Sequence, residues 1–153
     1  MHEVLKKLVF GNTLKLFVGI GNVLRSDDGV GVYIAQRIKE RDGIKILVVE
    51  VSIENYIGPV NAIHPDELIL IDAVNFDKDP GYFALHTPDK LLDYTTNTHN
   101  ISLKKLMGFF DSNVWILGIQ PENVDFGENI SPLVRHAADE IIELINSGPF
   151  YNR

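Results

Sequence analysis

The chain has 153 residues, 45% apolar and 23% charged, a formal net charge of −7 and a pI near 5.1. That is enough for one domain with an ordinary core, and the acidic balance argues against a general affinity for nucleic acid or anionic membrane. The absence of cysteine excludes a disulfide framework, a thiolate nucleophile and a cysteine-type zinc site.

Residues 1–13 read as a short leader before the first strand; they hold no apolar run long enough for a signal-peptide core. No stretch approaches the length of a membrane span, so a soluble cytoplasmic protein, monomeric when free, is expected. Leu14–Val18 is the first expected strand. A helix from Asp28 to about Glu40 follows, its inward face set by Val30, Val32, Ile34, Ala35 and Ile38 at mostly three- and four-residue steps. The run 45–51 is the second strand, and 55–63 a short helix, a reading that Gly58-Pro59 weakens. Residues 67–73 (ELILIDA) and 81–86 (GYFALH) are the third and fourth strands, and 103–110 is a helix that Ser102 can cap. The fifth strand is 113–119 (NVWILGI). The last helix runs from Ser131, the N-cap, through Pro132 at its first position to about Asn146, and Gly148-Pro149 ends it.

The runs LFV, ILVV, LILI and VWIL are apolar without alternation. Such strands are covered on both faces. With the mostly βαβα order they predict a single three-layer α/β/α domain around a largely parallel five-stranded sheet. In sheets of this kind ligands bind beyond the carboxyl ends of the strands.

The segment after the first strand reads G-I-G-N-V-L-R-S-D-D-G-V-G, residues 19–31. As a dinucleotide loop it is weak: Leu24 occupies the third glycine position, and Asp27 and Asp28 stand where a pyrophosphate would have to sit. Glu50, at the end of the second strand, mimics the ribose-binding acid and keeps that alternative open. Asp27 or Asp28 can also simply cap the helix. Asp72 is harder to explain as surface, because it follows Leu68-Ile69-Leu70-Ile71 directly and a carboxylate at such a buried edge needs a partner or a metal. His99 lies in T-T-N-T-H-N after the fourth strand. Asp28, Asp72 and His99 together offer the ligand types of a borderline divalent metal such as nickel or zinc. Gly19 and Gly21 allow a tight turn and the close approach of another chain. Tyr56, Phe76 and Tyr82 are read as packing residues.

These residues carry a resemblance. G-I-G-N-V-L-R-S-D-D-G-V-G, L-I-L-I-D-A-V, T-H-N-I-S-L and L-G-I-Q-P, in this order, resemble the motifs of the nickel–iron hydrogenase maturation endopeptidases over nearly the whole chain from Leu14 to Leu144. T-H-N-x-x-L followed by G-I-Q-P is most similar to the branch that processes formate-hydrogenlyase-type and related membrane-bound hydrogenases. The resemblance implies an endopeptidase that removes the C-terminal extension of the hydrogenase large-subunit precursor once nickel has been inserted. Nickel, delivered within the substrate, is then the recognition element. The implied catalytic and metal-facing residues are Asp28, Asp72 and His99, with Asp27 as a further acid, and Gly19, Gly21 and Asn22 form the implied substrate loop. Some family members carry Glu where this chain has Asp28. Two mechanisms fit: nickel polarises the scissile carbonyl or activates water, or nickel only docks the substrate and Asp27 or Asp28 is the general base. A non-catalytic nickel-binding chaperone of the same subunit is the alternative of a different class. The lack of cysteine and of a G-x-S-x-G elbow argues against thiol and serine hydrolases.

Overall fold

The structure is a computed structural model that describes residues 2–50, 53–91 and 106–148. The five strands are β1 (Lys15–Ile20), β2 (Ile44–Val49), β3 (Glu67–Ala73), β4 (Phe83–His86) and β5 (Asn113–Ile119). They form one sheet in the order β2-β1-β3-β5-β4. β1, β2, β3 and β5 are parallel, and β4 joins the edge antiparallel to β5.

Alternate residues of the central strands feed two cores. Phe17, Ile69, Ile71 and Leu117 enter one with Leu5, Val9, Val30, Ile34, Val134, Ile141 and Ile145. Leu16, Val18, Leu68, Leu70 and Ile116 enter the other with Val49, Ile53, Val60, Phe76 and Leu91. Side chains of consecutive strand residues point to opposite faces, so a continuously apolar strand is buried twice. The first face is covered by helices α1 (Glu3–Phe10), α2 (Val30–Ala35) and α5 (Pro132–Asn146), the second by α3 (Ile57–Ile63) and α4 (Pro88–Leu91). This is the three-layer domain expected from the sequence.

Residues 1–13 are more than a leader. Glu3–Phe10 is a helix whose Leu5 and Val9 lie in the first core, burying an apolar pair at four-residue spacing. The helix expected from Asp28 to Glu40 is shorter. Ser26–Gly29 is a 3₁₀ turn and only Val30–Ala35 is α-helical. Leu106 and Met107 are helical; the rest of the expected 103–110 helix up to residue 105 lies outside the described residues, as does Ser102. Phe76 is buried, with Tyr82 edge-on to it at 5.3 Å between centroids, and Tyr56 packs against the second core. Tyr82 itself remains exposed.

Two glycines set the join between β1 and α2. Gly21 has φ +144°, and a Cβ there would collide with the carbonyl of Asp28. At Gly31 a Cβ would collide with the Ile71 carbonyl and stand 2.6 Å from that of Ile20. The approach expected of another chain is therefore made by the protein's own backbone: α2 lies directly on β1 and β3.

Candidate active site

The strand order reverses direction between β1 and β3, because β2 lies on one side of β1 and β3 on the other. Their carboxyl ends frame the crevice in which ligands of open α/β sheets bind. A cleft of about 180 Å³ opens there, lined by Ile20, Gly21, Asn22, Arg25, Asp28, Glu50 and Asp72. Asp28 comes from the turn after β1, and Asp72 from the end of β3. Two of the three residues singled out from the sequence thus meet in one cleft. The third, His99, lies outside the described residues. Among the described residues, no group of three or more His, Asp or Glu is placed to hold a metal ion.

Asp28 is oriented by its own loop: the Asn22 N–H donates to its Oδ2 at 2.9 Å. Asn22 in turn accepts from the Leu24 N–H at 2.9 Å through its side-chain oxygen. Asp72 receives one bond from the Ala73 N–H at 2.9 Å. Burial first, and the neighbouring charge of Asp28 second, push the Asp72 carboxyl well above the usual carboxylate range; the Ala73 bond opposes them. An enclosed carboxyl beside another carboxylate favours its neutral form unless a cation or donor enters. The cleft is therefore arranged to receive positive charge or a hydrogen-bond donor.

Asp27 faces the other way. It is fully buried and accepts from the Glu122 N–H (2.9 Å), the Asn123 N–H (3.0 Å), the Ser131 N–H (2.7 Å) and the Ser131 hydroxyl (2.7 Å). Its oxygens are occupied, and it does not line the cleft. Water activation by Asp27, one of the readings made from the sequence, has no geometric support, because a base needs a free lone pair within reach of the proton it takes. Neither aspartate caps α2. Ser131 does sit at the N-cap of α5, but its hydroxyl serves Asp27 and makes no capping bond. Gly21 and Asn22 line the cleft as the substrate-loop reading requires. Gly19 does not: it lies inside β1, where a Cβ would stand 2.5 Å from the Gly31 carbonyl and 2.6 Å from the Ala35 Cβ.

Sequence reasoning passed over two lining residues, or gave them another part. Arg25 carries no periodic signal, and Glu50 enters the sequence reading only as a mimic of a ribose-binding acid. With Asp28, Glu50 and Asp72 around it, the cleft is unsuited to the pyrophosphate of a dinucleotide.

An open α/β sheet with two acids, Asp28 and Asp72, meeting at its switch point defines a class of small α/β proteins with an acid-lined cleft at the strand ends. The particular family is set by comparison with known proteins. The family model described as hydrogenase maturation protease matches residues 30–147, and the chain belongs to that family of peptidases. A Methanocaldococcus jannaschii protein provisionally named a hydrogenase maturation protease is 30% identical over 149 residues, covering 88% of each chain. The Hydrogenase 3 maturation protease of Escherichia coli K12 is 25% identical over 130 residues, covering 81% of this chain and 83% of its own. The crystal structure of the nickel–iron hydrogenase maturation protease HycI from Thermococcus kodakarensis superposes with a TM-score of 0.80 at 30% identity, covering 94% of this chain and 96% of that one.

Proposed function

We propose that this protein removes the C-terminal extension of a hydrogenase large-subunit precursor after nickel has been inserted, with the substrate's nickel as the recognition element. The observation that carries this reading is the meeting of Asp28 and Asp72 in one cleft at the switch point. Their oxygens are of the type that completes the shell of a divalent ion already held by softer ligands. His99, from the segment between α4 and β5, is assigned as the third contact. The nickel is cargo of the substrate, so the protein needs no resident metal. Asp28 is aimed by Asn22, and the enclosure of Asp72 keeps it ready to pair with the incoming cation. Asp27 is assigned to bracing.

The test is cleavage of a large-subunit precursor, with and without nickel, followed by mass spectrometry. The wild-type chain is expected to release a C-terminal peptide only from the nickel-loaded form. Asp28→Asn and Asp72→Asn are each expected to lower turnover by about 10²-fold or more, as when an interaction made in the transition state is removed. Cleavage that is indifferent to nickel, or binding without release by the wild type, overturns the reading.

A further inference from the structure

The turn that carries Asp28 is bound edge to edge with residues 122–131. The Ser26 N–H donates to the Gly127 carbonyl (2.7 Å), the Gly127 N–H to the Leu24 carbonyl (2.8 Å) and the Asp27 N–H to the Asn123 carbonyl (3.0 Å). The Ser26 hydroxyl donates to the Asp125 carbonyl (2.8 Å), and Arg25 Nε to the Val124 carbonyl (3.2 Å). Ser26 has φ +52°, a conformation unfavourable for a non-glycine residue, so these bonds hold it in place. Asp27, itself part of the turn, accepts from the Glu122, Asn123 and Ser131 N–H groups of the other segment. These bonds join the two segments into one plate.

Four of the plate's exposed side chains are apolar. Phe126 is 87% exposed, Leu24 45%, Val23 38% and Val124 38%. Arg25 pairs in parallel with Gly127, and in that register Leu24 stands across from Phe126. A large aromatic left in water on a braced loop is the kind of residue that anchors protein interfaces. The bonds that tie the plate together are made by its backbone, Arg25, Ser26 and Asp27, not by this ring. Exposed Glu122, Asp125 and Glu128 flank it in the same loop. Asn22 and Arg25, which flank Val23 and Leu24 in the turn, line the cleft, so the rim and the site share one turn.

We infer that Phe126, with Leu24, Val23 and Val124, is the docking rim for the folded body of the precursor, which meets it with an apolar surface bordered by cationic groups. This rests on the proposed function and deepens it. The rim holds the body while the extension enters the cleft. Because rim and Asp28 share one plate, docking holds the body beside the acid throughout the reaction, which stabilises ground state and transition state alike.

The test is steady-state cleavage of the nickel-loaded precursor by wild type, Phe126→Ser, Leu24→Ser and Val4→Ser, the last an exposed apolar residue on α1. Thermal melts check folding, and sedimentation reads the oligomeric state. Phe126→Ser is expected to raise KM about tenfold or more with kcat within about twofold, as for loss of uniform binding. Leu24→Ser should do the same more weakly, and Val4→Ser should change neither. An unchanged KM in both rim variants overturns the inference, as does a fall in kcat alone. A wild-type dimer that Phe126→Ser dissociates assigns the rim to a second copy of the chain and also overturns it. A wild-type chain that fails to cleave the loaded precursor overturns the proposed function first, and the rim's partner with it.

Discussion

Asp27 and Asp28 are neighbours in sequence and opposites in structure. Asp27 is fully buried and meets four donors. Asp28 borders a cleft, with the Asn22 N–H on one oxygen and Asp72 nearby. One carboxylate is satisfied by the fold, and the other faces a second acid. The difference lies in which backbone N–H groups the fold brings to each side of the turn. A group with all its acceptor capacity used is architecture. A group left beside a like charge is poised for something absent.

The largest test of this contrast is Asp27→Ala. Removing the carboxylate leaves the N–H groups of Glu122, Asn123 and Ser131 without their acceptor, and we expect a loss of about 3–5 kcal/mol, since each unsatisfied buried donor costs about 1–3 kcal/mol. Urea unfolding measures it; a loss below about 1 kcal/mol would erase the distinction. Asp72→Asn comes next. The carboxyl of Asp72 is raised above its unfolded value, so protonation stabilises the fold, and that contribution is complete below the ordinary carboxylate range. It is lost as the pH climbs through that range and past the raised value, where ionised Asp72 opposes folding. The Asn variant should therefore match wild type at low pH and become the more stable protein as the pH rises to neutrality. A stability difference that ignores pH would count against the shift. Asp28→Ala should have the smallest effect on stability, within about 1 kcal/mol, because the lost Asn22 bond is offset by relief of repulsion. It should lower the Asp72 pKa without returning it to the ordinary range, since burial is the larger cause; carboxyl NMR titration of the two proteins shows whether it does.

Much of this was legible in advance. The β3 and β5 boundaries match at both ends, because continuous apolar runs bounded by turn residues leave little freedom. α1 was missed, since an eight-residue helix that stands on two buried residues gives a short periodic signal. α2 was overextended because Val30, Ile34 and Ile38 are all buried at helical spacing although the helix stops at Ala35. Asp28 and Asp72 were legible as strand-end acids. The opposed fates of Asp27 and Asp28 were not, because the donors to Asp27 come from residues about a hundred positions away. Phe126 carried no signal either, since a lone aromatic in a polar loop looks the same in sequence whether buried or exposed.

The glycine joint also separates what can vary in this molecule from what cannot. Gly21 and Gly31 sit where any side chain would strike backbone, so the track that delivers Asp28 tolerates almost no substitution. Val23 and Leu24, on the same turn, face solvent, and their exchange costs the fold little. The backbone of the turn is thus fixed by close packing, while its outward side chains can be exchanged without disturbing the path that carries Asp28.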